Sequence, residues 1–291
     1  CTESHILRKR SDIVWWRVNM LVRFTTNIIV VLAFLVVNSL GQQFDWAKCI
    51  DGTGVVVNDI VKDAGGNNYI IGKFENTLTI GNTTLVSSGS SDIFFAKTDP
   101  FGNFLWAKKA GGPSEDFGRA ITLDNIGNIY ISGYFTGDAY FDGISISAYA
   151  LKDLFIAKYS SANNCIWANK VGSAGDDWTE RIKFLSHGEI LLTGIHGANI
   201  WFGSHYLQMG YQDGANGFRA IMDSSGQFSW AMTFGSSYID KAAGVDGDLA
   251  GTYFFSGNFG QIVAGPSADN QSPTLRYRAQ VGKANSSGYL S

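Results

Sequence analysis

Short runs of alternating apolar and polar residues, separated by turns that contain Gly and Asn, fill the chain from about residue 51 onward. The clearest unit holds four such runs, at residues 119–124, 129–135, 153–159 and 165–171. Alternation between turn signals is typical of antiparallel β-strands. The longer connection at residues 136–152 carries Asp142-Gly143, a pair that favours an additional hairpin. The pattern predicts one four-stranded antiparallel sheet for this unit.

The same unit recurs about every 61 residues. A Trp-Ala pair marks the fourth run of each copy, and a glycine lies inside the second run. The tryptophans are Trp46, Trp106, Trp167 and Trp230, and the glycines are Gly72, Gly133, Gly194 and Gly257. Two landmarks that share one period indicate a repeat architecture such as a propeller or a solenoid. We interpret the Trp residues as packing between stacked sheets, and the Gly residues as allowing a neighbouring backbone or Trp to approach closely.

These repeats predict an all-β chain, specifically a β-propeller with four-stranded antiparallel blades of about 61 residues. The four repeats cover approximately residues 51–111, 112–171, 172–234 and 235–291. Residues 42–50 form a lone closing strand in this interpretation. That strand could complete the last repeat and close a four-bladed ring, because propellers avoid exposed sheet edges. A fragment of a larger propeller is the interpretation we favour.

One copy of the unit resembles a known repeat. Its residues run Asp92-Ile93-Phe94-Phe95-Ala96-Lys97, then Asp99 to Lys108 including Trp106-Ala107, then Gly111-Gly112, Asp116 and Gly127 to Gly133. This pattern resembles the SBBP β-propeller repeat over residues 44–290. It departs from that repeat where His196 replaces an aromatic residue and where Gly282 replaces an alanine. The resemblance implies a bladed propeller in a secreted or surface protein and implies no single catalytic activity.

The amino-terminal region has the composition of a secretory signal. Met20 and Arg23 precede ten apolar residues at 28–37, and Ser39-Leu40-Gly41 provides small residues for cleavage. Ten residues are too few to span a bilayer, which takes about 20. We therefore expect residues 20–41 to be a signal peptide, with no stable membrane span after cleavage, and residues 1–19 to lie outside the translated protein. The expected location is secreted or at the cell surface.

The charge and the candidate reactive residues provide no sign of nucleic-acid binding, metal binding or catalysis. A net charge of −3 and 16% charged residues provide no basic surface for nucleic acid. Cys49 and Cys165 are expected to be small buried residues without a disulfide between them. Asp116, Asp177 and Asp240 recur ten residues after a Trp, where an Asp usually caps a turn and more rarely binds a cation. We expect no metal site, no cofactor and no catalytic residue.

The leading functional hypothesis is an exported, non-enzymatic propeller that acts as a binding or structural module. Its partner would be a protein or a glycan at one rim, where the connections at residues 136–152 and 202–217 vary most. The best candidate contacts are Trp201, Phe202, His205, Tyr206 and Tyr211. The same aromatic residues could instead pack between blades. The alternative function is a secreted glycosidase or lyase with a site at the propeller channel.

Overall fold

The computed structural model describes residues 47–185, 187–209, 215–234, 241–247, 253–262 and 275–284. Within them, every regular element is a β-strand, and all strand pairs are antiparallel. The first sheet has the order β1-β2-β4-β5, and β3 pairs with the far end of β2. Its strands are β1 (Asp51–Lys62), β2 (Asn68–Ile80), β3 (Thr83–Val86), β4 (Asp92–Thr98) and β5 (Phe104–Ala110).

Two further four-stranded sheets follow the same plan, and each carries a separate hairpin between its second and third strands. The second sheet contains β6 (Asp116–Leu123), β7 (Ile129–Phe135), β10 (Asp153–Tyr159) and β11 (Cys165–Val171), with hairpin β8 (Asp138–Phe141) and β9 (Ile144–Ser147). The third contains β12 (Trp178–Phe184), β13 (Ile190–His196), β16 (Asn216–Met222) and β17 (Phe228–Phe234), with hairpin β14 (Ile200–Phe202) and β15 (His205–Leu207). The last sheet has three described strands, β18 (Lys241–Gly247), β19 (Tyr253–Ile262) and β20 (Leu275–Ala284).

The predicted strands of the clearest unit are confirmed as β6, β7, β10 and β11, and the expected hairpin turns at Asp142-Gly143. The turns are those that the sequence signals. In the turn between β6 and β7, the Asp124 carboxylate accepts hydrogen bonds from the backbone N–H groups of Ile126 and Asn128 at 3.1 and 2.8 Å. Gly127 adopts φ +83°, a left-handed conformation that glycine reaches without a Cβ penalty. Comparable Asp-capped turns begin at Asp63, Asp99 and Asp223.

The hydrophobic core lies between successive sheets. One cluster combines Ile71, Phe95 and neighbours of the first sheet with Ile131 and Phe155 of the second. Another combines Ile156 and neighbours of the second sheet with residues of the third. The first strands β1, β6, β12 and β18 contact one another in that order. Stacked four-stranded antiparallel sheets with adjacent first strands are consistent with a β-propeller-like fold.

The recurrent glycines lie where the backbone of the first strand comes closest to the second. A Cβ built on Gly133 would lie 1.9 Å from the Phe117 carbonyl oxygen and 3.0 Å from the Phe155 ring. Gly72 and Gly194 meet equivalent carbonyl groups, at 1.9 and 2.1 Å. Glycine is therefore required because a neighbouring backbone occupies the space of a side chain. The nearby ring comes from a Phe of the third strand and not from a Trp.

Trp106 and Trp167 contact aromatic residues of their own sheets and also pack against the core clusters that lie between successive sheets. Trp106 makes edge-on contacts with Tyr69 and Phe95, at centroid distances of 6.1 and 5.8 Å. Trp167 contacts Tyr130 at 6.2 Å, and Trp230 packs against a small cluster on the third sheet. Gly257 lies in β19, and Trp46 lies outside the described residues.

The expectations about the cysteines and about the amino-terminal region have different outcomes. Cys49 was expected to be buried, but it is exposed, because residues 47–50 precede β1 and form no strand. Cys165 is partly buried at the start of β11, and both thiols are free. The expected signal peptide and the rest of the expected closing strand, residues 42–46, lie outside the described residues. The described part of the chain contains no helix that is long and apolar enough to cross a membrane.

Candidate functional site

The hairpin of the third sheet exposes an aromatic pair. Trp201 on β14 lies directly opposite Tyr206 on β15. Trp201 is 58% exposed and Tyr206 is 46% exposed, and their ring centroids are 4.8 Å apart. Cross-strand aromatic pairs stabilise a hairpin, yet about half of this pair's surface stays open to solvent. We call these two residues the Trp201–Tyr206 platform.

The hairpin that carries the platform is anchored in the core. Phe202 is fully buried, with its ring centroid 4.7 Å from Phe218 and 5.2 Å from Phe228. Ile200 and Leu207 are buried on the same face. Burial of one such side chain contributes roughly 1.5–3 kcal/mol. The platform therefore stands on a rigid support, although it lies in a connection between strands.

The predicted aromatic cluster of the third repeat divides between surface and core. Trp201 and Tyr206 lie on the outer face, whereas Phe202 was expected as a ligand contact and is a core residue instead. Successive side chains of a strand point to opposite faces, so neighbours such as Trp201 and Phe202 cannot share a surface. His205 lies opposite Phe202 and is half-buried. Tyr211 lies outside the described residues.

The equivalent hairpins of the other sheets provide a comparison. In the second sheet, Tyr140 takes the place of Trp201 and lies opposite Ser145; it is 50% exposed. In the first sheet, the corresponding cross-strand pair is Thr79 and Thr84. The backbone geometry recurs, but a paired aromatic surface is present only on the third of these three hairpins.

A second group of side chains arises from a β-bulge that recurs in the first strand of each sheet. Strand pairing skips Asn58 in β1, Arg119 in β6 and Glu180 in β12. A bulge leaves one residue unpaired and redirects its side chain. The Arg119 and Glu180 side chains meet across the two sheets, with Nη1 2.6 Å from Oε2. These bulges therefore bring polar residues of successive repeats into contact.

Aromatic and charged residues surround this ion pair. We define the Arg119 cluster as Glu115, Phe117, Arg119, Tyr134, Trp178 and Glu180. The Trp178 indole N–H donates to Glu180 Oε1 at 2.8 Å. The Arg119 guanidinium lies 5.4 Å from the ring centroids of both Phe117 and Trp178, within cation–π range. Both carboxylate oxygens of Glu180 are thus engaged, and the guanidinium is held between aromatic faces.

The Tyr134 side of the cluster adds a second ion pair. The Tyr134 ring stacks on Phe117 at 5.3 Å with a 4° interplanar angle, and its hydroxyl donates to Glu115 Oε1 at 2.5 Å. Lys152 Nζ lies 4.4 Å from the Tyr134 ring and 3.6 Å from Glu115 Oε2. Burial, followed by the hydrogen bond to Glu115, raises the pKa of Tyr134. The phenol therefore stays protonated and serves as a hydrogen-bond donor.

The repeat pattern does not reveal this cluster, because the pattern marks residues that are shared between copies. The signal for the cluster is a position at which the copies differ. Asn58, Arg119 and Glu180 are 61 residues apart, at one repeat position, and each has different chemistry. A position that changes from copy to copy while its neighbours recur is a candidate for a specialised role. Only the pairing register shows that these side chains are unpaired and redirected.

The recurrent aspartates are buried turn caps. Asp116 and Asp177 are fully buried. Asp116 accepts a hydrogen bond from the Gly112 N–H at 2.6 Å, and Asp177 accepts one from the Ser173 N–H at 2.5 Å. Burial raises the pKa of Asp116 to about 8 and that of Asp177 to about 7. Asp240 lies outside the described residues. Within the described ranges, no three His, Cys, Asp or Glu side chains are grouped to hold a metal ion.

A comparison with known proteins gives a similarity to a repeat protein. The chain is 28% identical over 130 residues to an uncharacterized WD repeat-containing protein of Acanthamoeba polyphaga mimivirus. The match covers 40% of this chain and 9% of that protein, so the chain spans under a tenth of its relative's length. No protein-family model matches the chain, and the resemblance to the SBBP repeat stays a prediction. Together with the stacked sheets, the similarity hints at a repeat protein of β-propeller type.

Proposed function

We propose that this chain is part of an exported, non-enzymatic β-propeller that binds glycans through the Trp201–Tyr206 platform. The observation that carries this proposal is the exposure of both rings on a hairpin anchored in the core. The predicted signal peptide and the SBBP resemblance support export, and the antiparallel stacked sheets support the propeller.

A glycan is the partner whose chemistry fits the platform best. One face of a sugar ring carries mainly C–H groups, which pack on an aromatic face, while its hydroxyls stay in water. Trp and Tyr provide large contact areas at low conformational cost, since only two side-chain torsions become fixed. The two tilted aromatic rings on a rigid hairpin could contact two faces of one glycan chain. A protein ligand is the other outcome that the following experiment distinguishes.

The test compares the wild-type chain with Trp201→Ala and Tyr206→Ala on a glycan array, followed by isothermal titration calorimetry on each glycan that binds. Truncation of a central aromatic contact costs more than about 1.4 kcal/mol, which is about tenfold in affinity. We expect at least that loss of affinity for each variant, with only a small change in melting temperature. The proposal fails if both variants bind every glycan as the wild type does.

The second sheet provides matched controls for this test. Tyr140→Ala removes one exposed ring from the equivalent hairpin and should leave glycan binding unchanged. Ser145→Tyr creates a Tyr140–Tyr pair at the position of the platform, and we expect it to add a weak binding site. If Tyr140→Ala weakens binding as much as Trp201→Ala, a general aromatic surface, and not the pair, would be responsible.

A secreted glycosidase or lyase remains the second candidate function. The observation in its favour is that two carboxylates, Glu115 and Glu180, lie in one cluster. Asp176 is the acidic counterpart of Glu115 in the third repeat, whereas Glu180 has no acidic counterpart at its position in the first two repeats. Glycosidases place two carboxyl groups on either side of the scissile bond. Product analysis by mass spectrometry after incubation with the bound glycans tests it. Cleavage that is lost in Glu115→Gln and Glu180→Gln would establish the enzyme.

A further inference from the structure

The Arg119 cluster is separate from the platform in the fold. The cluster is built on the first and second strands of successive sheets, whereas the platform is on the hairpin between the second and third strands. We propose that the Arg119 cluster is a second saccharide-binding site of this chain, which recognises hydroxyl groups by their position. This proposal rests on the glycan-binding function proposed above and concerns a different set of residues.

The cluster occupies repeat positions whose residues differ between copies. Phe117 corresponds to Val56 in the first repeat and to Trp178 in the third, at spacings of 61 residues. Tyr134 corresponds in the same way to Lys73 and Ile195. By contrast, the adjacent glycine recurs in every copy because backbone packing requires it. Packing alone does not demand this variety, so the differing residues are free to form one specialised surface.

The polar groups of this surface are held as pairs of opposite charge. Beside the Arg119–Glu180 pair, Lys152 lies 3.6 Å from Glu115, and Lys73 Nζ lies 3.1 Å from Glu75 and 5.7 Å from the Phe117 ring. Three cations therefore face three carboxylates, and these six side chains together carry no net charge. The exposed Asp176 carboxylate, which acts on the Tyr134 phenol, adds one negative charge. Each of these six side chains retains 16% to 41% exposure.

A neutral hydroxylated ligand matches such a surface better than an ion does. A hydroxyl group both donates and accepts, so it can donate to a carboxylate and accept from the neighbouring cation. Hydrogen bonds to charged groups are the stronger ones. A ligand with a net charge would meet both an attractive and a repulsive charge at every ion pair, so it would lose hydration without a net Coulombic gain. Sugars carry neutral hydroxyls at fixed spacing and are the class that fits.

The aromatic residues hold the charged groups in place and fix the direction of the donors. Phe117 and Trp178 are half-buried, while Tyr134 is only 6% exposed. Arg119 Nε is buried and has no hydrogen-bond partner among the described residues. The guanidinium is thus positioned by ring faces and by Glu180 and not by a network around it. Preorganised donors reduce the entropy lost on binding.

The test uses isothermal titration calorimetry with three neutral hexasaccharides, cellohexaose, maltohexaose and mannohexaose, and with hexagalacturonate as a charged comparison. The site variant is Arg119→Asn with Glu180→Asn, because Asn58 occupies the same bulge in the first repeat. The wild type should bind a neutral hexasaccharide at two sites. Trp201→Ala should leave only the site at the Arg119 cluster, and the variant with both Asn substitutions should leave only the platform. Hexagalacturonate should not bind at the cluster.

A charge-swap variant, Arg119→Glu with Glu180→Arg, keeps an ion pair between the sheets. We expect its melting temperature to stay close to that of the wild type while binding at the cluster falls at least tenfold. If the charge-swap variant binds at the cluster as strongly as the wild type, the proposal is wrong, because the ion pair would then serve only to join the sheets.

The two proposals fail in different ways. If Trp201→Ala abolishes all hexasaccharide binding, the platform is the one site and the cluster proposal is wrong. If the Asn variant alone abolishes binding, the platform proposal is wrong. If no neutral hexasaccharide binds to the wild-type chain, both proposals are wrong for this class of ligand.

Discussion

The stability of the domain should fall as the pH rises from 6 to 8. Burial raises the pKa of Asp116 to about 8, and the nearby Asp92 carboxylate adds to the effect. Burial also raises the pKa of Asp177 to about 7. The value for an unperturbed Asp is 3.8, so the unfolded chain is already ionised in this range. A raised folded pKa provides stability that is fully present below the unfolded value and is lost as the pH passes through the folded value.

The size of the effect follows from these values. Between pH 6 and 8, Asp116 should remove about 2 kcal/mol of unfolding free energy, and Asp177 about 1 kcal/mol. His196 acts in the opposite direction, because burial lowers its pKa. Its contribution over the same range is at most about 1 kcal/mol. A net loss of roughly 2–3 kcal/mol is large beside a typical domain stability of roughly 5–15 kcal/mol.

Urea unfolding at pH 6, 7 and 8, followed by tryptophan fluorescence, measures this dependence. Asp116→Asn should remove the larger part of the slope, and Asp177→Asn a smaller part. Asp223→Asn is the control, because that exposed carboxyl has a lowered pKa and is already ionised throughout this range. A wild-type stability that is constant or rises between pH 6 and 8 would refute the reasoning. So would an unchanged slope in the variant with both buried aspartates replaced.

Two further predictions concern packing. Phe202→Ala should destabilise the domain by about 3–5 kcal/mol, whereas Trp201→Ala should change its stability by less than about 0.5 kcal/mol; thermal melts of both variants test the contrast, and equal losses would contradict the assigned faces. Gly133→Ala should cost about 3 kcal/mol, because its Cβ would overlap the Phe117 carbonyl. Gly143→Ala meets no atom within 4 Å and should cost only about 1–2 kcal/mol for its left-handed conformation. A smaller loss for Gly133 than for Gly143 would contradict this account.

Local patterns were sufficient to predict the strands and turns. The segments around Gly133 and Asp124 form the expected strand and capped turn, because alternation and turn residues act over a few neighbouring positions. The platform was only partly predictable. Trp201 and Phe202 are adjacent in sequence and equally aromatic, and only the hairpin register decides that the first is exposed and the second is core.

The sequence alone determined the sheet plan of this protein. A period of about 61 residues, marked by Trp167 and Gly133 and their counterparts, specified stacked antiparallel sheets, because each landmark satisfies a local packing need that recurs in every copy. The tertiary structure decided where chemistry could occur. Arg119 and Glu180 meet because bulges in neighbouring sheets redirect them. Asp116 changes its pKa because stacking removes it from water. Both depend on contacts between residues far apart in the chain, which no local pattern records.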